Sequence, residues 1–147
     1  MTSVAIREAA VADSEPLARL VSELGYPTSP SQMQRRLKAI LDDEDYQTLV
    51  AWVSRQIVGF IGTRIGPLYE DDARCGQIMA LVVAPDHQRR GIGRMLMQAA
   101  ESRLVDRGAH LLVVTSGHHR PDAHAFYESC GYSFTGRRYK KSLSRSI

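Results

Sequence analysis

Residues 81–93 read Leu-Val-Val-Ala-Pro-Asp-His-Gln-Arg-Arg-Gly-Ile-Gly, where an apolar strand leads into a loop and then into a helix. The first N–H groups of a helix have no acceptor within it, and together with the helix dipole they attract anions. Glycines at positions 91 and 93 would let a phosphate approach the backbone closely, and three arginines stand beside them. The stretch predicts a phosphate-binding turn, with a plain turn and helix start as the alternative.

Two common nucleotide-binding motifs do not fit this turn. A P-loop requires GxxxxGK[ST], and the chain has no such lysine. A dinucleotide fingerprint requires a third glycine where Leu96 stands and an acidic residue near Val113. Both motifs are poor matches, so either another phosphate ligand or a plain turn and helix start stays open.

Outward from this stretch, the hydrophobic pattern predicts alternating strands and helices. Strands are predicted at 4–8, 47–54, 56–65, 75–83, 111–115 and 132–140. Helices are predicted from an Asp13 cap to Leu24, from a Ser31 cap to Leu41, over 92–107, and from an Asp122 cap to Cys130. The order predicts an α/β fold with a mixed, mostly antiparallel sheet flanked by helices.

The composition describes an ordinary globular protein. Of its 147 residues 44% are hydrophobic and 24% are charged, which predicts a single domain over 1–147. The chain shows neither an apolar run of about 18 residues nor a secretory signal, so no membrane association and a cytoplasmic location are expected. Two cysteines, Cys75 and Cys130, predict a reduced pair, and no zinc-binding spacing occurs.

The positive charge is concentrated at one end of the chain. The net charge is +3, but residues 137–147 hold five basic side chains and no acidic one. The remainder holds 14 basic and 16 acidic residues, so the body is not basic. This distribution argues against a dedicated nucleic-acid-binding protein, although a tail that binds a partner or nucleic acid stays open.

Two segments resemble the GNAT family of N-acetyltransferases. Residues 88–93 match the family's Q/R-x-x-G-x-G/A acyl-CoA motif, and residues 80–85 resemble the end of its fourth strand. Residues 123–132 resemble its A-x-x-F-Y-x-x-x-G-Y/F segment. The resemblance covers the whole chain and implies the GNAT fold, with a homodimer as the expected assembly.

The resemblance also implies a site for acetyl-CoA. Backbone amides of residues 89–94 would hold the pyrophosphate, and the main chain of Leu81 and Val83 would pair with the pantetheine arm. Tyr127 would donate a proton to the leaving thiolate. The implied cofactor-binding set is Leu81, Val82, Val83, Gln88, Arg89, Arg90, Gly91, Ile92, Gly93, Arg94 and Tyr127.

The implied activity is transfer of an acetyl group from acetyl-CoA to a small-molecule or peptide amine by direct attack, without a metal. Two departures from the family keep a catalytically silent CoA-binding regulatory module as the alternative. Met79 stands where many members carry a glutamate, and Arg120 where many carry an asparagine. The general base and the acceptor amine are therefore open.

Other chemically active side chains are weighed against plainer roles. His118, His119 and His124 suggest substrate binding or proton relay rather than metal binding, because adjacent histidines rarely ligate one ion. Cys130 is expected to pack as a small apolar residue. The acidic turns at 42–45 and 70–72 are expected at the solvated surface; at a pocket rim they would favour a cationic amine.

Overall fold

The computed structural model describes residues 3–114 and 121–144. The chain divides into two compact units, Met1–Ser116 and Gly117–Ile147, which are described in turn. The predictions for His118, His119 and Arg120 lie outside the described residues.

The first unit contains a five-stranded sheet with helices. Its strands are β1 (Ala5–Glu8), β2 (Tyr46–Val53), β3 (Gln56–Pro67), β4 (Arg74–Val83) and β5 (Ala109–Val114). Its helices are α1 (Ser14–Glu23), α2 (Pro30–Leu41) and α3 (Ile92–Asp106), and short 3₁₀ turns span Val11–Asp13 and Pro85–His87.

The sheet is mixed, as the sequence predicts. Its spatial order is β1-β2-β3-β4-β5; neighbours are antiparallel except β4 and β5, which are parallel. The β2–β3 hairpin turns at Ser54 and Arg55, whose φ angles of 48° and 65° match the handedness of a tight hairpin. The parallel pair needs a crossover, and α3 supplies it.

Helices α1 and α2 cover one face of the sheet, which is called the front face below. Leu17, Leu37, Val50, Phe60 and Val82 belong to the buried cluster between these helices and the sheet. Each is at most 7% exposed, so the cluster is a true core.

Helix α3 covers the opposite face, where two glycines admit it closely. A Cβ added at Gly59 would lie 3.3 Å from Leu96 Cδ1, and one at Gly76 would lie 2.9 Å from Leu104 Cδ1. Larger side chains at these strand positions would push α3 away from the sheet.

An ion pair joins β1 to the start of α1. The Asp13 carboxylate accepts hydrogen bonds from Arg7 at 2.9 and 3.0 Å and from the Ala10 N–H at 2.8 Å. Arg7 in turn lies 5.2 Å from the centre of the Trp52 ring. Asp13 is the N-cap residue of α1, as predicted, but its carboxylate binds these groups and makes no capping hydrogen bond to the helix.

The predicted cap of α2, Ser31, is wrong by two residues. Ser29 Oγ accepts from the Gln32 N–H at 3.1 Å, and Gln32 Oε1 accepts from the Ser29 N–H at 2.9 Å. This reciprocal capping box, with Pro30 in the first turn, leaves Ser31 inside the helix.

The second unit contains one described helix, α4 (Pro121–Ser129). Asp122 lies within it rather than capping it, and Gly131 follows its end with φ of 92°. The predicted strand at 132–140 is wrong: over 132–144 the described backbone forms no strand. Strand-forming residues need a ladder partner, and Phe134 and Tyr139 here stand 78% and 87% exposed.

Within the described ranges, none of the helices combines the length and the apolar composition needed to cross a membrane.

Candidate functional site

The loop between β4 and α3 has the backbone of an anion-binding turn. Arg89 and Gly91 both have positive φ, 63° and 80°. Left-handed backbone is uncommon for a non-glycine residue such as Arg89, and such strain concentrates at functional sites. Alternating backbone handedness turns successive N–H groups toward one side, which forms a nest for an anion.

The start of α3 adds helix amides to this turn. Gly91 is the N-cap, and its carbonyl accepts the first helical bond, from the Met95 N–H at 3.0 Å. The amides of Ile92 and Gly93 precede that bond and have no acceptor within the helix. No atom of residues 3–114 or 121–144 lies within 4 Å of a Cβ built on Gly91, so the described chain leaves the space above the turn open.

The side chains of the turn divide into two groups. Arg89, Arg90 and Arg94 are exposed, and three cations beside the unpaired amides favour a polyanionic ligand. Ile92 is only 2% exposed, so its side chain serves the core and its contribution to a ligand is limited to the backbone. Gln88 is exposed, and its Nε2 donates to the Val83 carbonyl at 3.1 Å.

Strand β4 extends past the described part of β5 directly before this turn. Its described pairing with β5 ends at Ile78 opposite Val114, whereas its pairing with β3 continues to Val83 opposite Gly59. Val114 is the last residue of β5 that the structure describes, so the edge of residues 80–83 that faces away from β3 is called the open edge below. The separation of the two strands beyond this point is what the family resemblance implies, and it stays a prediction.

The open edge presents specific backbone groups. The Ala84 N–H donates to the Val58 carbonyl at 2.7 Å, so residue 84 faces β3. Backbone groups alternate between the two edges of a strand, so Leu81 and Val83 face the open edge while Val82 faces β3. The Val82 side chain is buried in the front-face core. The structure thus brings Leu81 and Val83 to the edge, and it does not bring Val82 there.

Met79 forms a β-bulge directly after the last described pairing of β4 with β5. Gly62 pairs with Ala80 and Thr63 pairs with Ile78, which leaves Met79 as an extra residue. Its side chain is 40% exposed. Bulges are common beside active sites because they redirect a side chain. Here the redirected side chain is a thioether, which cannot accept a proton from an ammonium.

Tyr127 lies on α4, in the second unit. Its half-buried ring packs edge-to-face against Phe126 and Tyr132, with ring centres 5.7 and 6.4 Å away. The Tyr132 N–H donates to the Tyr127 carbonyl at 3.0 Å, which closes the end of the helix. His124, on the same helix, is exposed.

The cysteines lack the surroundings of nucleophiles. Cys75 is 7% exposed, and burial, with a smaller effect from the charge of Glu70, raises the pKa of its thiol. A raised pKa keeps the thiol protonated, and the thiolate is the reactive form. Both Cys75 and Cys130 are free. No group of three His, Cys, Asp or Glu side chains in the described ranges could hold a metal ion.

The loop contains a buried histidine nitrogen that the sequence does not predict. The Nδ1 atom of His87 is buried without a hydrogen-bond partner among the described residues. Buried polar atoms without a partner are rare in proteins. Polar side chains in short 3₁₀ turns are usually exposed, so the sequence does not predict that this histidine nitrogen is buried.

The acidic turn at 42–45 is remote from the anion turn. Arg107, at the end of α3, donates to the Glu44 carbonyl at 2.7 Å. The anion turn lies at the start of the same helix of 15 residues, which places the two about 22 Å apart along its axis. The turn at 70–72 is exposed to solvent.

Comparison with known proteins connects these features to one family. Residues 14–132 match the acetyltransferase (GNAT) family. A mycothiol acetyltransferase of Rhodococcus jostii (strain RHA1) is 29% identical over 112 residues, which are 75% of this chain and 36% of that protein. The chain thus spans about a third of the length of that relative.

Two other similar proteins extend over most of the chain. An aminoalkylphosphonate N-acetyltransferase of Salmonella typhimurium (strain LT2) is 29% identical over 139 residues, covering 94% of this chain and 90% of its own. The structure of an aminoglycoside N-acetyltransferase, AAC(6')-Iy, in complex with CoA superposes with a TM-score of 0.86 at 16% identity, covering 97% and 96% of the two chains. The shared fold confirms the predicted architecture.

Proposed function

This chain belongs to the acetyltransferase (GNAT) family, and from that premise we propose that it transfers an acetyl group from acetyl-CoA to a primary amine. The observation that carries the proposal is the open edge of β4 leading directly into the arginine-rich anion turn. CoA combines an amide-bearing pantetheine arm with a pyrophosphate. The strand edge offers backbone hydrogen-bonding groups to the arm, and the turn that follows it offers amides and arginines to the pyrophosphate.

The CoA arm and its phosphates use different parts of the strand–loop–helix unit. The pantetheine amides would bond to the backbone of Leu81 and Val83, in the way that a peptide adds to a sheet edge. A carbonyl oxygen has two lone pairs, so Val83 can keep its bond from Gln88. The pyrophosphate would lie over Gly91, with Arg89 and Arg90 beside it.

The reaction requires a neutral amine. A free alkylamine has a pKa near 10.4, so only about one molecule in 2,500 is neutral at pH 7. The neutral nitrogen attacks the thioester carbonyl, and the C=O becomes an oxyanion that backbone N–H groups of β4 can stabilise. The new C–N bond is kept, the C–S bond breaks, and the nitrogen loses a proton to solvent.

Tyr127 is proposed as the hydrogen-bond donor to the departing sulfur, on the strength of the family motif. A phenol is a weaker acid than a thiol by about 1.5 pKa units, so full proton transfer would cost about 2 kcal/mol. A hydrogen bond that strengthens as the sulfur gains charge is sufficient, and the thiolate can take its proton from water. The bond acts mainly in the transition state.

Alanine variants of three histidines test whether a histidine side chain acts as the general base. Met79 is not a base, so we expect His118→Ala, His119→Ala and His124→Ala each to keep more than about a hundredth of wild-type kcat, because a general base is worth 10²–10⁴-fold. A loss beyond about 10³-fold in one variant with unchanged CoA affinity would identify that histidine as the base.

A catalytically silent CoA-binding module is the second candidate, favoured by Met79 at the bulge. Thiol release from acetyl-CoA with a panel of amines separates the two. Turnover with any amine, above the rate of spontaneous hydrolysis, supports the enzyme. CoA binding measured by calorimetry without turnover on any amine supports the module.

The acceptor class, the domain organisation, the location and the assembly of the protein are also proposed. The acceptor is a small-molecule or peptide amine, the chain is a single functional domain over 1–147, and it acts in the cytoplasm as a homodimer. Light scattering of the purified protein tests the assembly, and a monomer at assay concentration would refute it.

A further inference from the structure

A strip of bare sheet follows the front-face core along β3. Side chains alternate between the faces of a strand, so Gly62, Arg64 and Gly66 share the face of Phe60, which packs under α1 and α2. Among the described residues, no atom lies within 4 Å of a Cβ built on Gly62 or on Gly66. The described part of the chain thus leaves the sheet uncovered at the two glycines that flank Arg64. This strip is called the glycine shelf below.

Arg64 is held over the shelf by a neighbouring aromatic ring. Tyr46 pairs with Arg64 across β2 and β3, and the guanidinium carbon lies 5.7 Å from the centre of the ring. Stacking orients the planar group and leaves its N–H edge available. The ion pairs found in the described part of the chain, Arg7–Asp13 and Arg103–Glu8, do not involve Arg64.

The shelf adjoins the point where a thioester would lie. Gly62 pairs with Ala80 and Arg64 pairs with Gln77, so the Met79 bulge lies between the two pairings. Two residues along a strand and one strand across place the backbones of Arg64 and Met79 about 8 Å apart. The shelf therefore extends from beside the Met79 bulge to Arg64, whose guanidinium stacks on Tyr46.

Glycines inside a strand require an explanation. Each weakens the strand by about 0.5–1 kcal/mol relative to alanine, and a strand glycine often marks a close approach by another backbone or a ligand. At Gly59 the approaching atoms belong to β4 and α3, and at Gly76 they belong to β5 and α3. At Gly62 and Gly66 no described atom approaches, so the space is left for a ligand.

We propose that the glycine shelf binds the acceptor, and that Arg64 selects acceptors in which the amine is joined to an anionic group: a carboxylate, phosphonate or phosphate. The inference rests on the proposed acetyltransferase function. The amine would lie at the bulge and the anion at the guanidinium, which suits a molecule with a few bonds between the two groups.

The competing candidate is a cationic acceptor bound by the acidic turn at 42–45. That turn precedes β2 rather than lying on the sheet face, and the Asp43 carboxylate already accepts from the Asp45 N–H at 3.0 Å. The structure therefore favours the anionic acceptor, and preference for a diamine is an outcome of the test.

The test compares matched acceptors on the wild type and Arg64→Gln. The pairs are β-alanine with β-alaninamide, 2-aminoethylphosphonate with ethanolamine, and glucosamine 6-phosphate with glucosamine; putrescine represents the cationic class. We expect a lower KM for the anionic member of at least one pair. In Arg64→Gln that KM should rise about 10- to 100-fold, the effect of a charge-assisted hydrogen bond.

The kinetic pattern separates a specificity role from a structural one. The KM of acetyl-CoA and the KM of the neutral acceptor should stay unchanged in Arg64→Gln. The matched control is Arg19→Gln, which removes an exposed arginine on α1 and should leave every constant unchanged. A preference for neutral acceptors or putrescine, or equal constants in the wild type and Arg64→Gln, would overturn the proposal.

A second variant tests the open space itself. Gly62→Val fills the shelf with a strand-favouring side chain whose Cβ meets no described atom within 4 Å, so we expect the protein to fold, which thermal denaturation checks. It should raise the KM of the anionic acceptor and leave CoA affinity unchanged. An unchanged acceptor KM would show that the acceptor lies elsewhere.

Binding experiments keep this inference distinct from the proposed function. Calorimetric titration of the anionic amines into the CoA-saturated protein should show binding that Arg64→Gln weakens about 10- to 100-fold. Such binding without turnover would support the shelf and refute the enzyme. Turnover of acceptors without dependence on Arg64 would support the enzyme and refute the shelf, and the absence of both binding and turnover would refute both.

Discussion

The Gly91→Asp variant tests the anion turn directly. Gly91 caps α3 with its Cα under open space, so an aspartate would place a carboxylate where a CoA phosphate should lie. Two unit charges about 5 Å apart repel by roughly 3 kcal/mol at an effective dielectric constant of 20, and by about 1 kcal/mol in bulk water. We therefore expect about 5- to 150-fold weaker CoA binding for each phosphate charge that the carboxylate faces.

The matched control is Gly91→Asn, which has the same shape without the charge. The left-handed backbone at φ of 80° strains both variants, by about 1–2 kcal/mol, and asparagine and aspartate tolerate it better than most residues. Both residues also cap helices well, which offsets part of the strain. The difference between the two variants therefore isolates the charge.

Isothermal titration calorimetry with CoA is the assay, at 50 mM and 500 mM salt. Affinity should fall in the order wild type, Gly91→Asn, Gly91→Asp, and the gap between the two variants should narrow at high salt because the repulsion is screened. Equal affinities for Gly91→Asn and Gly91→Asp at low salt would show that no phosphate lies over Gly91.

Three further predictions concern other parts of the chain. Tyr127→Phe should lower kcat about 10- to 200-fold with little change in the KM of acetyl-CoA, measured by thiol release where chemistry is rate-limiting. Asp13→Asn should lower the free energy of unfolding by about 1 kcal/mol at pH 7, because the hydrogen bond from Arg7 lowers the pKa of the carboxylate in the folded state. The effect is no larger because the Arg7 side chain is 41% exposed and solvent screens its charge. In urea titrations the difference from the wild type should vanish as the pH falls below that lowered pKa, where Asp13 is protonated. Gly76→Ala should lower the free energy of unfolding by about 1–3 kcal/mol and reduce Tm in thermal denaturation, because its Cβ would lie 2.9 Å from Leu104.

Each of these variants has a control and a contradictory result. A Tyr127→Phe enzyme at the wild-type rate would make the tyrosine a packing residue. For the ion pair, Glu15→Gln removes an exposed carboxylate from α1 and should leave stability unchanged. A deficit in Asp13→Asn that does not shrink as the pH is lowered would point to lost packing. For the glycine, Gly66→Ala has open space and should be neutral, and a neutral Gly76→Ala would show that α3 can shift.

The fold was predictable where local patterns and the tertiary structure agree. The strand–turn–strand pattern around Arg55 and the helix ended by Gly108 need only short-range information, and both are present. The N-cap of α1 was predicted at the right residue, Asp13, whereas the cap of α2 was misplaced because several polar residues stand near its start. At α2, Ser29 is chosen because Gln32 reciprocates its bond and Pro30 suits the first turn.

The predicted strand at 132–140 fails for a different reason. Its apolar residues have strand propensity, but propensity in a strand mostly reflects packing against neighbours. Gly136 interrupts the segment, and the cations at 137–141 repel one another. A segment of this kind forms a strand only where another strand supplies a ladder, and a single sequence does not say whether one is near.

The proposed cofactor site and the proposed acceptor site also differ in how far the sequence predicts them. The anion turn is contiguous, because a strand end, a left-handed glycine and a helix start follow one another within a few residues, so its chemistry can be read from the chain. The acceptor side depends on register: a bulge at Met79 exists only because Gly62 and Thr63 pair with residues two apart. Arg64 reaches open space only because β3 places glycines on either side of it along the same face. A family can therefore keep its cofactor motif while register and a few strand residues change the acceptor, which is why the variants at Arg64 and Gly62 address specificity and the Gly91 pair addresses the cofactor.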